Sequence, residues 1–268
     1  MRAGGLAKPA VAWPGAASLV LGAALLAWVV MLRQMSAMDM SAPGGAPSLG
    51  DAASFTGQWG VMMAAMMLPG AAPMILLYRT VSRRLSGDGD RVLPAPLFAV
   101  VYLLLWLAAG VPVYGGYVVV GWLVGRWPSF HVAWPYAVAA VLTAAGAYQF
   151  TAAKRACLRH CESPLDFLMR RWRSGYAATL GLAVRHGAYC IGCCWGLMAI
   201  LVAAGAMGLP WVAVITLVVL AEKVLPLDGW TARAVGAGLL LLALAVALRP
   251  ELAGTLRGDG AHGTAHAM

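Results

Sequence analysis

The sequence predicts an all-α fold, a polytopic transmembrane helix bundle of about seven helices, and three observations carry that reading. The 268 residues are 62% hydrophobic and only 11% charged, whereas water-soluble chains carry roughly a quarter of their residues charged. The apolar residues gather into runs long enough to span a bilayer, since about 20 helical residues cross the roughly 30 Å hydrocarbon layer. Arginine and lysine fall in the breaks between those runs, and unequally so. The net charge of +9 therefore reads as membrane topology. Basic residues held in short loops give no nucleic-acid surface.

Seven runs fit this pattern: residues 13–32, 56–78, 94–123, 133–153, 187–207, 209–226 and 231–248. The first follows Arg2 and Lys8 and so resembles a secretory signal. Arg33 directly after it, with no small-x-small cleavage pattern beside it, predicts a retained helix. The third run is long, and Pro112 predicts a break within it. The fifth is expected to start near 187, after Arg185 and His186, because a charge deep in lipid costs about 3 kcal/mol on insertion scales. It meets the sixth at Gly208-Leu209-Pro210, a turn signal. Residues 1–268 read as one integral membrane domain that ends in a flexible tail, 249–268.

Charge asymmetry sets the orientation. Arg79, Arg83, Arg84 and Arg91 follow the second run. Lys154, Arg155, Arg159, Arg170, Arg171 and Arg173 follow the fourth. Both loops are expected on the cytoplasmic side, which puts the N-terminus inside and the loops 33–55 and 125–132 outside. Within the second basic loop, Ser163, Pro164 and Asp166 offer an N-cap, a first-turn proline and a first-turn acid. The residues that follow alternate Leu165, Phe167, Leu168, Met169 and Trp172 with Arg170, Arg171 and Arg173. That predicts an amphipathic helix lying on the cytoplasmic interface.

Chemistry concentrates in the same region. All five cysteines lie between residues 157 and 194. Cys157 and Cys161 are one helical turn apart, and so are Cys190 and Cys194, with Cys193 beside them. His186 precedes Cys190 by one turn, and His160 adjoins Cys161. On the expected topology both groups reach the cytoplasmic rim. Thiolates with imidazole form a soft ligand set suited to Cu(I), with Zn(II) the second candidate. A free cysteine also packs well between helices, so each residue alone suits either role.

Methionine, at 14 residues, is the other soft donor. Met62, Met63, Met66 and Met67 form an MxxxM ladder in the second run, a pattern similar to that of eukaryotic high-affinity copper transporters. A thioether binds Cu(I) without a buried charge, although methionine also fills irregular gaps. Met31, Met35, Met38 and Met40, with Asp39, sit on the expected outer side, together with His262, His266 and Met268. Glu222 and Lys223 end the sixth run and read first as a snorkelling interfacial pair, with Glu222 facing the bundle as a proton or metal partner the second reading. With no phosphate loop, Ser/His/Asp set or HExxH motif, the chain is expected to be no enzyme.

The segments "WGVMMAAMMLPGAAP" (59–73), "CLRHCESPLDFL" (157–168), "GAYCIGCCWGLM" (187–198) and "AEKVLP" (221–226) carry a resemblance. They are similar to a bacterial family of integral proteins labelled predicted metal-binding membrane proteins, over about residues 55–230. The resemblance implies residence in the bacterial inner membrane and a metal ligand role, without an activity. The leading expectation is a membrane protein that binds a soft metal, Cu(I) first, through Cys190, Cys193, Cys194, Cys157, Cys161, His186 and the four methionines. It would move the ion or hand it to a metallochaperone or metalloenzyme. Two other classes stay open. One is a thiol–disulfide protein using Cys190 and Cys193 as a CxxC pair; the other is an assembly subunit for a metalloenzyme.

Overall fold

Every regular element among the residues described by the computed structural model, namely 14–35, 48–85, 94–127, 129–203, 209–225 and 229–257, is helical. In chain order these are α1 (Pro14–Met35), α2 (Leu49–Leu85), α3 (Ala95–Arg126), α4 (Ser129–Gln149), α5 (Ala152–Glu162), α6 (Pro164–Arg171), α7 (Tyr176–Ala203), α8 (Leu209–Val224), α9 (Trp230–Leu248) and α10 (Leu252–Arg257). The seven longest coincide with the seven apolar runs. Four of them, α2, α3, α7 and α9, are long and apolar enough to cross a membrane. Their outer faces stay apolar: Leu104 and Val111 of α3 and Leu241 and Leu248 of α9 are exposed.

Helix α7 packs against α3, α4, α5 and α8. Around it α1 pairs with α2, α2 with α3, and α4 with α9. Small residues permit the α4–α9 approach. A Cβ on Gly146 would stand 3.1 Å from the carbonyl of Gly236. The α1–α2 pair uses a gap left by a proline. Pro69 has no amide hydrogen, so the carbonyl of Ala65, four residues earlier, loses its helical partner. Trp28 Nε1 donates to that carbonyl across the pair at 3.1 Å.

The structure corrects several expectations. Helix α3 runs unbroken through Pro112; one lost ladder bond is tolerated in a long helix with close neighbours. Met31, expected on the outer loop, lies within α1 and is 4% exposed. Met35 ends that helix, whereas Met38, Asp39, Met40, His262, His266 and Met268 lie outside the described residues. The stretch read as a tail begins with α10, whose Ala253 and Leu256 are buried.

The largest correction is the start of α7 at Tyr176. At 28 residues it is about 42 Å long, longer than the hydrocarbon layer, so its first turns need not lie in lipid. Arg185 points outward and is exposed, where its long stem lets the guanidinium reach water. The early start was expected to separate the two thiol groups, and it does not, because α5 folds back along α7. Thr151 caps α5, its hydroxyl accepting from the amide of Lys154 at 3.1 Å. Helix α6 follows with its Arg170–Asp166 pair at 2.6 Å in solvent. It turns Phe167 and Leu168 into the core and leaves Leu165 and Met169, expected to share their apolar face, exposed beside Asp166 and Arg170.

Candidate metal centre

The cysteine turn of α7 is assembled by helical period. Cys190, Cys193, Cys194, Leu197 and Leu201 share one inward face, and each is 2% exposed or less. The three Sγ atoms lie within 4.8 Å of one another, and those of Cys193 and Cys194 are 3.3 Å apart. Helix α5 brings a fourth sulfur, Cys161 Sγ, to 3.9 Å from Cys193. Cys157, one turn back, lies against Gly192. A Cβ at that position would stand 2.7 Å from its sulfur, so glycine is what lets α5 settle so close. Tyr148 reinforces the spot, its hydroxyl donating to the Gly192 carbonyl at 2.7 Å. All five cysteines are free.

The surroundings of the two cysteines on α5 disfavour the thiolate form. Burial pushes the Cys157 thiol above its ordinary range, with the Lys154 ammonium opposing. Hydrogen bonding to Cys190 and then burial push Cys161 well above it, with Cys193 opposing.

A polar shell that the sequence reading did not assemble encloses the cluster. Lys223 Nζ donates to Cys190 Sγ at 3.0 Å. The Tyr102 hydroxyl lies 3.0 Å from the same sulfur and donates to the carbonyl of Met67 at 3.4 Å. Lys154, fully buried, reaches Glu222 Oε2 at 2.7 Å and donates to the carbonyl of Cys193. Glu222 is 1% exposed and Lys223 7%, so the expected snorkelling pair faces inward and each residue has its own partner. The reason is α5: its buried ammonium gives Glu222 a counter-ion, and Cys190 gives Lys223 an acceptor. Gly70 of α2 leaves room for the lysine stem, since a Cβ there would stand 3.1 Å from Lys223 Cδ. Glu222 Oε1 has no partner among the described residues.

The donor set fits a soft ion. At metal–sulfur bonds of about 2.3 Å, two sulfurs on opposite sides of one ion stand about 4.6 Å apart. The observed spacings need side-chain adjustment only. The remaining candidates are placed differently. His186 is 3% exposed, its ring 5.6 Å from that of Tyr102 and 6.0 Å from that of Phe167. It stands outside the tight thiol group, and its Nδ1 has no partner among the described residues. His160 stacks on Tyr189 at 4.1 Å and donates from Nδ1 to the carbonyl of Ala156. Met62, Met63, Met66 and Met67 are all buried along α2. Of these, Met67 is joined to the thiols, through its carbonyl and Tyr102.

The whole defines an apolar, all-helical bundle with a buried cluster of soft ligands. Residues 56–246 match the family described as PpoB2, copper chaperone, and the chain belongs to that family. The match contains each of the four segments that carried the resemblance in the sequence. No curated protein and no solved structure matches the chain.

Proposed function

We propose that this protein is a membrane-embedded copper carrier. It takes Cu(I) as cargo at the sulfur cluster of Cys190, Cys193 and Cys194 and hands it on through Cys161 and Cys157. The observation that carries this reading is the convergence of three fully buried sulfurs within 4.8 Å, on one helix of a chain whose family is described as a copper chaperone. Thiolate ligands select soft, monovalent copper, and burial withdraws the ion from water and oxidants. Cys161 at 3.9 Å from Cys193 is the nearest sulfur on another helix. Cys157 is half-buried and so nearer the surface where a protein acceptor would receive copper. The methionines of α2 are assigned to entry: a thioether ladder that needs no charge. His186 orients the site through its aromatic neighbours. The protein is a carrier and not an enzyme, resident in the bacterial inner membrane with its N-terminus and its thiol end facing the cytoplasm.

The test is metal content, by mass spectrometry, of detergent-purified protein loaded with copper or with zinc under reducing conditions. Wild type is compared with the variant carrying Cys190, Cys193 and Cys194 all changed to serine. Copper retained by wild type and lost by the variant is the expected result. No copper in either would sink the reading. Zinc retained in preference would redirect it to a divalent cargo.

A further inference from the structure

The buried charges around the thiols do not cancel. Among the described residues, the charged side chains that are buried are Lys154, Glu222 and Lys223. Lys154 and Glu222 form a neutral pair at 2.7 Å. Lys223 is left as a net positive charge, and it donates to a sulfur of the triad, Cys190 Sγ, at 3.0 Å. An ammonium has donors and no acceptor, so the sulfur accepts in that contact. An unbalanced ion in a low-dielectric interior is costly unless something opposite in sign is held against it. In a carrier whose cargo complex is itself charged, that imbalance has a use.

We propose that Lys223 is the built-in counter-cation of the loaded site. It is a positioning residue that gives the ion no ligand atom but fixes how many thiolates hold it. The proposal rests on the reading of the triad as a Cu(I) site. One Cu(I) held by two thiolates carries one negative charge. Added to the single positive charge of Lys223, it makes the buried interior neutral. A third thiolate would leave a net negative charge with no partner. The loaded site is therefore a two-sulfur complex, with the remaining cysteine of the triad kept as a neutral thiol. Every other group facing the cluster fits this count. Tyr102 from α3 offers a hydroxyl, His186 from α7 lies outside the tight group, and Cys161 from α5 is a further sulfur 3.9 Å from Cys193. The Lys154–Glu222 pair contributes no net charge.

The same count makes a less obvious prediction. Replacing Glu222 with glutamine keeps the shape and raises the buried charge from one positive to two. That excess is met by a third thiolate, so the number of sulfurs around copper should follow the charge of α8.

The experiment uses full-length protein in detergent, loaded with Cu(I) and read in two ways. Competition against a Cu(I) chelator gives affinity, and X-ray absorption gives the number of sulfurs on copper. Lys223→Met should bind copper at least about 100-fold more weakly, the scale of removing one partner from a buried pair. Lys223→Arg restores the charge and should recover most of that loss, which a purely structural role for the lysine stem would not allow. Wild type should show two sulfurs and Glu222→Gln three. The proposal is overturned if Lys223→Met binds copper as tightly as wild type. It is equally overturned if Glu222→Gln keeps two sulfurs, a measurement that stands even where Lys223→Met fails to fold. Absence of copper from wild type would instead be a failure of the carrier reading, which separates the two.

Discussion

The cysteine turn of α7 and the methionine ladder of α2 present the same kind of atom, sulfur, at the same helical spacing, yet they are built in different ways. The thiols are met by four other helices: Tyr102 arrives from α3, Cys161 and Lys154 from α5, Glu222 and Lys223 from α8, and Gly70 makes room from α2. Each polar group there has a partner that exists because of the others. The ladder is met by apolar neighbours. Its four methionines belong to the same continuous core as Trp59, Leu68 and Ile75, and no thioether contact to a polar group is among the bonds of the described residues. A shared spacing on one helix therefore says little about chemistry, whereas convergence from several helices says much.

That contrast can be broken in order of expected effect. The largest effect is on copper itself. Exchanging Met62, Met63, Met66 and Met67 together for leucine should leave equilibrium copper content unchanged and slow loading. The serine triple variant should lose copper at any loading time. Time-resolved metal content separates a route from a resting place, and loss of equilibrium copper from the leucine variant would erase the distinction between the two regions. Next is the ion pair beneath the thiols. Lys154→Met leaves Glu222 buried and unpaired and should cost about 3–5 kcal/mol. Lys154→Met combined with Glu222→Leu should recover most of that loss in thermal unfolding.

A smaller effect belongs to the α5–α7 contact. Gly192→Ala drives a methyl group into Cys157, and overpacking of this kind costs about 1–3 kcal/mol. Adding Cys157→Ala should relieve it. Alkylation of Cys161 should be faster in the single variant than in the double, because α5 is lifted. Met63→Leu, a volume-conserving change in the ladder, should cost under about 1.5 kcal/mol. Smallest is a rate. Burial raises the Cys157 thiol above its ordinary range, so its thiolate fraction at neutral pH is reduced. Its alkylation should be slow there and should rise with pH to a midpoint above the usual ~8.5.

The fold class was legible in the sequence because apolar run length and loop charge report directly on it. Predicted and observed helices agree to within a few residues for α1, α3, α4, α8 and α9. The cysteines were legible as well, since their types and spacings name their chemistry. The start of α7 was misjudged because Arg185 was weighed as a charge that would have to face lipid, when the helix is longer than a hydrocarbon layer and Arg185 lies on its exposed side. Lys154 carried no signal at all. It stands in a run of basic residues, and its partner Glu222 is 68 residues away. Glu222 and Lys223 were noticed as a pair, but adjacent opposite charges look alike whether they bind each other at a surface or turn to separate partners inside. Tyr102 sits in an apolar run like any other aromatic residue. Clustered thiols advertise themselves, whereas the buried groups around them are found only through the tertiary fold.

The 68-residue separation of Lys154 and Glu222 also sets an order on biosynthesis. When α5 leaves the ribosome its lysine has no counter-ion, and an unpaired ammonium remains in water. Helix α5 can lie down against α7 only after α8 has been made and inserted with its glutamate. The two outer thiols then come to rest beside the inner three as the last act of assembly. A truncated or half-inserted chain would display α5 loose, its cysteines apart from the rest. The ion pair thus works as a completion check, built into residues that border the thiol cluster.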